Sequence, residues 1–598
     1  MIPAEIPMNW GAKLKKLSLN VLNAIKDSQG TPEQWANVLI STIYKNKGSK
    51  KMLVNQRGIF LKKVISKIFE KVNMNRIENC IKKIDPFQAG SKPDRSTADQ
   101  TFLLRASIDH SKYLNRPLYV VLYDYSQCFD SLWLEDCIIS LWNLGVQSEI
   151  LSLLYEMNKE CNIMIKTPAG LTEEFTVKNT VQQGSVSGST LCSASTGEVA
   201  SEISSGGTQI GSSIIRSLAY VDDIATANNI TQDVYYSHGR VVWFSKKKKL
   251  SLNGPKCLLL PRNLKPLDVI PQLFIEGTEV QVKEIAKYLG DEFNNKGTNT
   301  HLVEERVKKG KACIVSAMSL CSDITMGIHA IETLMLLYRS LFVQVVLYNA
   351  QAWTNMTKAN LDSLQTVQLR YLKRIFHAPS STSNALTFLE TGVLPMKYEI
   401  HVKQLAYLHH ILSLPDDDPV KFTYNEQLKY PDAPNWANEI RQLRKQYNIN
   451  DTDKEIRSTK KCSWKRMVKR KVRCEALDDL NQEAVGLKQT AGKGPYTELT
   501  RQEYISTVSP RLARHIFHIR TGTIDLRGVR SYMYGENTLC RLCHEEDETV
   551  EHVVNNCKIV DRERQIDINS AKCEELKEVA QRYVKFKEMV EDLSRSLE

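Results

Sequence analysis

The sequence predicts an α+β fold in which helices pack on one side of an antiparallel sheet. From residue 117 the chain mixes strand-like runs, amphipathic helices and one hairpin-like stretch in irregular order. Helical patterns dominate before residue 117 and return beyond about residue 300. With 598 residues the chain is too long for a single hydrophobic core, so we expect several domains.

The composition is typical of a globular protein and favours a polyanionic partner. Hydrophobic residues make up 42% of the chain and charged residues 25%, and 80 Lys and Arg against 68 Asp and Glu give a modest net charge of +12. No apolar run approaches the roughly 18 residues that a membrane span needs, and residues 1–16 lack the apolar core of a signal peptide. The 14 cysteines form no dense framework, which is typical of a reducing compartment. We therefore expect an intracellular protein without a membrane partner.

The first 116 residues read as mostly helical, with basic patches at 45–51 and 57–72. The second patch, "RGIFLKKVISKIFEKV", carries apolar residues near helical spacing and lysines between them. This pattern predicts an amphipathic helix over 57–72.

Between residues 117 and 300 the elements follow from local patterns. "PLYVVLYDYS" predicts a strand ending at Asp124, and residues 130–145 predict an amphipathic helix ended by Gly145. The other expected elements are strands over 162–167, 174–182, 256–261 and 273–282, helices over 189–204 and 231–248, and a hairpin over 217–226.

Two adjacent carboxylates, Asp222 and Asp223, interrupt the apolar hairpin "SLAYVDDIAT". Like charges at that place repel each other and resist burial, so either solvent or a cation must offset the cost. A solvent-exposed acidic turn and a divalent-cation site both account for the pair. If the strand that ends at Asp124 neighbours this hairpin, three carboxylates converge at one sheet edge. That arrangement suits phosphoryl transfer by two metal ions.

The rest of the chain is expected to be largely helical, for example over 301–321 and 361–376. The stretch 414–458 is polar and rich in Pro, Asp and Asn, which indicates a boundary or an extended connector. The basic run 460–473, with Trp464 inside it, suits phosphate contact with some stacking, and equally suits a solvated amphipathic helix. The four lysines at 246–249 are read as a solvated helix end.

Near the C-terminus, four metal-ligating residues fall within a span of eighteen positions. Cys540, Cys543, His552 and Cys557 have the spacing C-x2-C-x8-H-x4-C, which predicts a closed, structural Zn²⁺ site. The adjacent His544 is expected to be a spectator.

Several segments, in order from about residue 50 to 320, resemble the conserved boxes of reverse transcriptases. "YDYSQCFDSLW" (123–133), "QQGSVSGSTLCS" (182–193) and "AYVDD" (219–223) are similar to their first carboxylate, Gln-Gly and Y-x-D-D boxes. "FQAGSKPDRSTADQ" (87–100), "LNGPKCLLL" (252–260) and "KYLGDEF" (287–293) resemble segments of the non-LTR (LINE-type) retrotransposon enzymes in particular.

The resemblance implies a right-hand polymerase followed by a small zinc-knuckle region. The implied divisions are fingers over 1–116, a palm with an antiparallel sheet over 117–300, a helical thumb over 301–413, a connector with a basic helix over 414–515, and a CCHC zinc knuckle over 516–598. It also implies an RNA-directed DNA polymerase that extends a DNA primer on an RNA template with deoxynucleotides, in the nucleus and cytoplasm. The segments flanking this core leave no room for a nuclease domain, so we expect no endonuclease in this chain.

The resemblance assigns roles to individual residues. Asp124, Asp222 and Asp223 would bind two Mg²⁺ ions, with Mn²⁺ as an alternative, and Lys256 would donate a proton to pyrophosphate unless it is an ordinary surface lysine.

The remaining implied roles concern substrate binding, and each has a plainer alternative. Arg57 would contact the triphosphate or simply template phosphate, and Phe129 would be a steric gate against the 2′-hydroxyl unless it belongs to the core. Gln183 and Gly184 would line the nascent base pair, and Tyr220 would pack beside the primer end. Asp130 is read as the cap of the following helix rather than as a ligand.

Three positions depart from the reverse transcriptase pattern: Cys128 replaces the usual Ala, Ser187 the usual apolar residue and Ser189 the usual Pro. These changes leave a second reading open, that of a decayed or co-opted copy that binds nucleic acid without catalysis. A third reading, an RNA-dependent RNA polymerase on the same palm, is disfavoured by Phe129.

Overall fold

The computed structural model describes residues 9–46, 48–167, 170–323, 329–487, 495–529, 537–560, 565–568 and 571–597. The chain divides into two compact units. The first unit comprises Met1–Thr298, Ala352–Thr354 and Leu414–Glu439, and the second comprises Asn299–Gln351, Asn355–Ser413 and Ile440–Glu598.

Strands and helices alternate irregularly in the first unit, and the second unit is built from helices. The strands are β1 (Asn37–Tyr44), β2 (Gln56–Leu61), β3 (Leu118–Tyr123), β4 (Glu160–Thr167), β5 (Gly170–Leu171), β6 (Phe175–Lys178), β7 (Thr208–Ile210), β8 (Ser213–Ile215), β9 (Ser217–Tyr220), β10 (Asp223–Asn228), β11 (Leu258–Arg262), β12 (Phe274–Ile275), β13 (Thr278–Glu279), β14 (Gln281–Val282), β15 (Ile285–Tyr288) and β16 (Asp291–Asn294).

The helices are α1 (Ala12–Ser28), α2 (Val64–Arg76), α3 (Glu78–Ile81), α4 (Thr97–Tyr113), α5 (Cys128–Ser131), α6 (Leu134–Asn143), α7 (Ser148–Glu156), α8 (Gly188–Glu202), α9 (Thr231–Lys247), α10 (Thr300–Asp323), α11 (Ala330–Leu337), α12 (Val343–Val346), α13 (Lys358–Ile375), α14 (Asn384–Thr391), α15 (Met396–Ser413), α16 (Pro419–Gln427), α17 (Trp436–Gln446), α18 (Asp453–Ser458), α19 (Lys461–Val485), α20 (Tyr504–Thr507), α21 (Pro510–Thr521) and α22 (Cys573–Leu597). The α+β prediction is confirmed.

A five-stranded sheet forms the centre of the first unit, in the order β14-β11-β3-β10-β9. Its middle strand, β3, pairs antiparallel with both β10 and β11. All six residues of β3, "LYVVLY", are buried, as expected for a strand covered on both faces. Helices α6, α8 and α9 contribute side chains to the hydrophobic core around this sheet.

A second sheet in the first unit has the order β2-β1-β4-β5, with β6 also paired to β4. Its strand β2 overturns part of the helix predicted over 57–72. Residues 56–61 pair antiparallel with β1 along six positions, and the helix α2 begins only at Val64. The near-helical spacing misled because Ile59 and Phe60 are apolar neighbours that a strand also accommodates.

The helix predicted over 130–145 is divided in two. Helix α5 ends at Ser131, Trp133 is extended, and α6 begins at Leu134. Gly145 has φ +90°, in the left-handed region, so it does end this segment as predicted. The helices expected over 189–204 and 231–248 are present as α8 and α9.

The stretch 414–458, read as a boundary or extended connector, contains α16, α17 and α18. Local capping explains two of them. The Asp418 side chain accepts from Val420 N and Pro419 occupies the first turn of α16. Thr452 and Glu455 form a capping box at the start of α18.

The basic run 460–473 lies in α19, whose buried residues recur every fourth position: Trp464, Val468, Val472, Ala476, Leu480 and Ala484. Trp464 is 1% exposed, and its indole N–H donates to Leu405 O at 2.8 Å. The indole is therefore a core side chain, and the stacking role considered for Trp464 is wrong. The solvated amphipathic reading of this run agrees with the structure.

Among the described residues, we find no helix long and apolar enough to cross a membrane.

Candidate active site

The three aspartates lie at the same end of two adjacent strands. Asp124 follows the last residue of β3, and Asp223 is the first residue of β10. The antiparallel register pairs Ile224 with Tyr123. Asp223, before Ile224, therefore lies opposite Asp124, after Tyr123, at the same end of the two strands. The antiparallel pairing of β3 and β10 thus joins carboxylates that are about 100 residues apart in sequence.

Asp222 lies in the turn between β9 and β10. Tyr220 pairs with Asp223, which leaves Val221 and Asp222 as the two turn residues. Val221 has φ +60°, unusual for a β-branched side chain. Tyr220 is half-buried at the end of β9, beside this turn.

The carboxylates interact electrostatically. Burial raises the pKa of Asp222, the Asp124 carboxylate raises it further, and the Arg57 guanidinium lowers it. Burial, together with the Asp222 and Asp124 carboxylates, raises the pKa of Asp223 to about 6. The Asp223 side chain still reaches solvent, so its desolvation is partial: nearby protein atoms displace part of its hydration, and the two carboxylates add like charge. Arg57, although distant in sequence, is close enough to act on this site from β2.

Lys256 lies against Asp124. Its Nζ is 2.8 Å from Asp124 Oδ2, and the backbone N–H of Asn253 donates to Asp124 O at 2.7 Å. Lys256 occupies a short 3₁₀ turn just before β11, the strand next to β3. The structure therefore brings together Asp124, Asp222, Asp223, Arg57 and Lys256.

The Gln-Gly loop is seated on β2. The N–H of Phe60 donates to Gln183 O at 2.8 Å. Gly184 has φ +105°, and a Cβ there would lie 3.0 Å from Ile59 Cγ2 and 3.1 Å from Phe60 O. Glycine is therefore required at 184 by both conformation and space. The close neighbour in this structure is the backbone of β2.

Ser187, one of the departures from the family pattern, has a buried partner. Its hydroxyl and its N–H both donate to Glu70 Oε1, and Glu70 is fully buried on α2. Lys62 Nζ lies 3.8 Å from Glu70 Oε2, and burial lowers the pKa of this lysine. The hydroxyl at 187 thus ties the loop to α2. A lone glutamate within the apolar run "VISKIFEKV" was the available signal for this contact.

Phe129 is half-buried on α5 and packs against the central core. Its position suits both the gate and the core readings. Asp130 lies inside α5, and α6 has Trp133 as its N-cap residue without a side-chain cap. The capping role expected for Asp130 is wrong, because the helix breaks between Asp130 and Leu134.

Sequence reasoning missed two side chains near the aspartates. Tyr288 ends β15 in the segment "KYLG"; its hydroxyl is buried, and after burial the Asp223 carboxylate is the next cause that raises its pKa. Gln88, in the segment "FQAG", is fully buried and contacts Val221. Both residues lie in quoted segments, but neither residue type alone indicates a site.

The donor sets fit two kinds of metal. Asp124, Asp222 and Asp223 offer only carboxylate oxygens, which suit a hard cation such as Mg²⁺. Such a cation would offset the like charge that, after burial, contributes to the raised pKa values of Asp222 and Asp223. At the C-terminus, one ligand atom from each of Cys540, Cys543, His552 and Cys557 lies within 4.8 Å of every other.

The geometry of this cysteine and histidine cluster is close to that of a zinc site. Cys540 Sγ and Cys557 Sγ are 3.9 Å apart, and Cys543 Sγ is 3.3 Å from His552 Nε2. A tetrahedron with Zn–S bonds of about 2.3 Å has edges of about 3.8 Å. His552 Nδ1 lies 2.7 Å from Glu546 Oε2, so this carboxylate fixes the ring with Nε2 facing the cluster.

An ion pair between Arg541 and Glu548 lies next to the cluster in the chain, since Arg541 follows Cys540. Arg541 Nε donates to both oxygens of Glu548, at 3.0 and 2.9 Å, and Glu548 is fully buried. The backbone N–H groups of Arg541 and Arg527 donate to the same carboxylate. The acidic run "HEEDE" gave no signal for which of its members is buried.

The second unit contains a large cation-lined cleft, with a volume of about 1280 Å³. Arg370 and Arg374 reach it from α13, and Arg511 and Arg514 reach it from α21. Among the described residues that line the cleft, none is acidic. The sequence did not indicate that α13 and α21 line one cleft, because their arginines are more than 130 positions apart.

Residues 45–293 match the reverse transcriptase (RNA-dependent DNA polymerase) family. A Drosophila melanogaster protein described as a probable RNA-directed DNA polymerase from transposon BS is 24% identical over 382 residues, which cover 60% of this chain. The chain spans only 40% of that relative's length.

Two solved telomerase structures overlap part of the chain. That from Candida tropicalis, an apo form truncated from the C-terminal domain, has 14% identity and a TM-score of 0.32, covering 47% of this chain and 59% of the other. That from Candida albicans, with a fragment of telomeric RNA, has 10% identity and a TM-score of 0.30, covering 68% and 70%. At these TM-scores the overlap supports no functional statement.

Proposed function

We propose that this protein is the RNA-directed DNA polymerase of a LINE-type element, because residues 45–293 match the reverse transcriptase family. The observation that carries the proposal is the meeting of Asp124, Asp222 and Asp223 at one edge of the central sheet. Three carboxylates in that arrangement hold divalent cations for nucleotidyl transfer. As a retroelement protein it would act where RNA and primer DNA are both present, in the nucleus and cytoplasm.

In this proposal, Asp124, Asp222 and Asp223 would hold two Mg²⁺ or Mn²⁺ ions. When bound, the ions would activate the primer 3′-hydroxyl and offset charge on the triphosphate and pyrophosphate. Lys256 is the proton donor to pyrophosphate, and its ammonium is already beside Asp124 at 2.8 Å. Arg57 contacts the triphosphate, since its charge acts on Asp222 from β2.

The substrate contacts follow the same edge. Gln183 and Gly184 line the nascent base pair where their loop rests on β2, and Tyr220 packs beside the primer end. Phe129 excludes the 2′-hydroxyl and so selects deoxynucleotides. Its half-buried ring is supported by the core on one side, which suits a rigid steric gate.

RNA template and DNA primer are the proposed macromolecular partners. The net charge of +12 favours a polyanion. The four arginines of the cleft in the second unit would contact the phosphate backbone. The Cys₃His cluster would hold one structural Zn²⁺, which fixes the segment between Cys540 and Cys557.

The proposal is tested by extending a DNA primer annealed to RNA, with Mg²⁺ and deoxynucleotides. We expect extension by the wild type and a loss of at least about 10³-fold in Asp124→Asn, because one of the carboxylate ligands is removed. Asp130→Asn is the matched control: the same change, six positions later, at an exposed residue outside the proposed site. Absence of extension by zinc-loaded wild type on any primed RNA would contradict the proposal.

The sugar selectivity is tested separately. Phe129→Ala should increase incorporation of ribonucleotides relative to deoxynucleotides by about tenfold or more, because the space for a 2′-hydroxyl opens. Phe175→Ala, which removes an exposed ring on β6, should leave the ratio unchanged. An unchanged ratio in Phe129→Ala would mean that Phe129 is only a core residue.

A further inference from the structure

The turn that carries Asp222 is strained at the preceding residue. Of the two turn residues between β9 and β10, only Val221 has positive φ, at +60°. Positive φ at the first central position is the type II′ pattern, which glycine normally occupies. A β-branched valine resists this conformation, so contacts from outside the turn must hold it there.

Gln88 makes these contacts through both ends of its side-chain amide. Its Oε1 accepts from Val221 N at 2.9 Å, and its Nε2 donates to Val221 O at 3.0 Å. The two hydrogen bonds satisfy both backbone groups of Val221, as a neighbouring strand would. Asparagine would be one methylene shorter, and a carboxylate would lack the donor.

Gln88 is itself held in place. Its Oε1 also accepts from Gly90 N at 2.8 Å, and its Nε2 lies 3.2 Å from Thr196 Oγ1. Thr196 Oγ1 in turn donates to Val221 O at 2.5 Å. Gln88 and Thr196 are both fully buried, and the bonded groups lie on three separate parts of the first unit, so the orientation of the Gln88 amide is fixed from several sides.

The backbone around Gln88 is joined to β9. Ala89 N donates to Ala219 O, and Ala219 N donates to Phe87 O, both at 2.9 Å. Gly90 approaches the turn so closely that a Cβ there would lie 2.3 Å from Val221 N. The segment 87–90 is therefore built against the turn.

We propose that Gln88 is a positioning residue that sets the Asp222 and Asp223 carboxylates for metal binding. This inference rests on the proposed function, because it concerns the same metal site. Holding Val221 at positive φ fixes the direction in which the next residue, Asp222, projects. We call the two hydrogen bonds from the Gln88 amide to Val221 the Gln88 clamp. Without this clamp, Val221 relaxes toward negative φ, and the carboxylates of Asp222 and Asp223 move away from Asp124.

The test measures equilibrium binding of Mn²⁺ to the zinc-loaded full-length chain, from the free Mn²⁺ signal in electron paramagnetic resonance. We expect Asp222→Asn to lose most of the binding, which identifies the site. Gln88→Ala should weaken Mn²⁺ binding by about tenfold, the size seen for groups that orient metal ligands. Thr196→Val, which removes one donor to Val221 O, should weaken it less and serves if Gln88→Ala does not fold.

Two further variants separate positioning from stability. Gln427→Ala removes another buried glutamine of the first unit, whose Oε1 accepts from Ala437 N at 3.3 Å, and should leave Mn²⁺ affinity unchanged. Adding Val221→Gly to Gln88→Ala should recover most of the missing affinity, because glycine adopts the turn without a clamp. Mn²⁺ affinity within twofold of wild type in both Gln88→Ala and Thr196→Val would overturn the proposal, as would Gln88→Ala losing the same affinity with and without Val221→Gly.

Primer extension on the same samples distinguishes the two claims. If the wild type binds Mn²⁺ but does not extend a primer, the proposed function fails while the clamp is still decided by the binding data. If the wild type extends and Gln88→Ala needs no more Mg²⁺ than wild type for half-maximal rate, only the clamp fails.

Discussion

Asp124, at the end of β3, contacts or faces residues from the two strands that flank β3, which are β10 and β11. Through β10 it meets Asp223 and Asp222, and from the start of β11 it meets Lys256 at 2.8 Å. The Lys256 ammonium thus places a positive charge beside the Asp124 carboxylate, as a bound cation would. An ammonium can take this place because it is a compact donor on a flexible stem.

This pairing predicts that Lys256 competes with metal. Lys256→Ala should lower the Mg²⁺ concentration for half-maximal extension, by no more than about fivefold because the pair is partly exposed and worth at most about 1 kcal/mol. It should also lower the maximal rate about 10²-fold, because Lys256 is the proposed proton donor to pyrophosphate. Mg²⁺ titrations of primer extension measure both effects. Lys265→Ala, an exposed lysine before β12, is the control, and an unchanged rate in Lys256→Ala would contradict its role as donor.

The raised pKa of Asp223, about 6, predicts the pH dependence of metal use. Metal binds the deprotonated carboxylate, so the Mg²⁺ requirement should fall as pH rises through about 6 and then level off. Titrations of Mg²⁺ between pH 5 and pH 8 measure this. A requirement that is constant over that range would contradict it.

The same shift predicts a stability effect with the opposite pH trend. The Asp223 carboxyl has a higher pKa in the folded state than in the unfolded state, so the folded state binds the proton more tightly. The free energy of unfolding of the metal-free protein should therefore fall as pH rises from about 4 to about 6. Asp223→Asn should therefore melt at a higher temperature than wild type at pH 7.5 without added Mg²⁺, and the difference should shrink at pH 5. Asp432→Asn, at an exposed position, should melt as the wild type does at both pH values.

At the scale of residues, the sequence indicated the aspartates and the lysine of the candidate site and missed the buried polar side chains that hold the neighbouring turn and loop. Asp124, Asp222 and Lys256 were found because their segments resemble a family and because adjacent carboxylates are costly. Gln88 and Glu70 were missed because neutral or lone polar residues in apolar segments become informative only when their partners are known. Those partners, Val221 and Ser187, are more than 100 residues away in sequence.

The elements of the first unit show where local patterns suffice. Strand β3 is apolar at every position and was predicted to within a residue of its end. The β9–β10 hairpin was also predicted, because its apolar runs flank a polar turn. Strand β2 was not, since its identity as a strand depends on pairing with β1 and not on its own spacing. The helical pattern of 130–145 did not indicate that the helix is interrupted between Ser131 and Leu134, where the backbone of Trp133 is extended.

The cluster of Cys540, Cys543, His552 and Cys557 leads to a prediction about zinc content and thermal stability. Cys540→Ser should reduce bound zinc from one atom per chain to none and lower the melting temperature, because metal binding and folding of this segment are coupled. His544→Asn should retain zinc, since His544 is exposed at φ +58° and asparagine tolerates that conformation. Elemental analysis of purified protein measures the zinc. One zinc atom per chain in Cys540→Ser would contradict the site.

At the scale of the whole molecule, excess positive charge gathers in places that the composition does not reveal. The net charge is +12, and four arginines share one cleft of the second unit. None of the described residues that line this cleft is acidic, and Arg511 lies 3.8 Å from Glu588 of α22, outside the lining. The basic run on α19 was a comparable candidate in the sequence. Its buried stripe shows that one face of that helix serves packing instead.

The cleft predicts a measurable salt dependence. Arg370→Ala combined with Arg374→Ala should weaken binding of single-stranded RNA and reduce the slope of log affinity against log salt by about 0.7 for each phosphate that the variant no longer neutralises. Lys308→Ala, an exposed lysine on α10, should change neither quantity appreciably. Fluorescence anisotropy at several salt concentrations gives both. An unchanged slope in the double variant would remove the cleft from the RNA interface.

We propose that the carboxylates of Asp124, Asp222 and Asp223, where β3 ends and β10 begins, catalyse nucleotidyl transfer. The most direct measurement is single-turnover addition of one deoxynucleotide to a primer annealed to RNA, with protein in excess and template binding measured on the same samples. We predict that wild type and Asp130→Asn add the nucleotide, and that Asp222→Asn binds the primed RNA equally well but adds it at least about 10³-fold more slowly. Equal rates in wild type and Asp222→Asn, or binding without addition by the wild type, would contradict the claim.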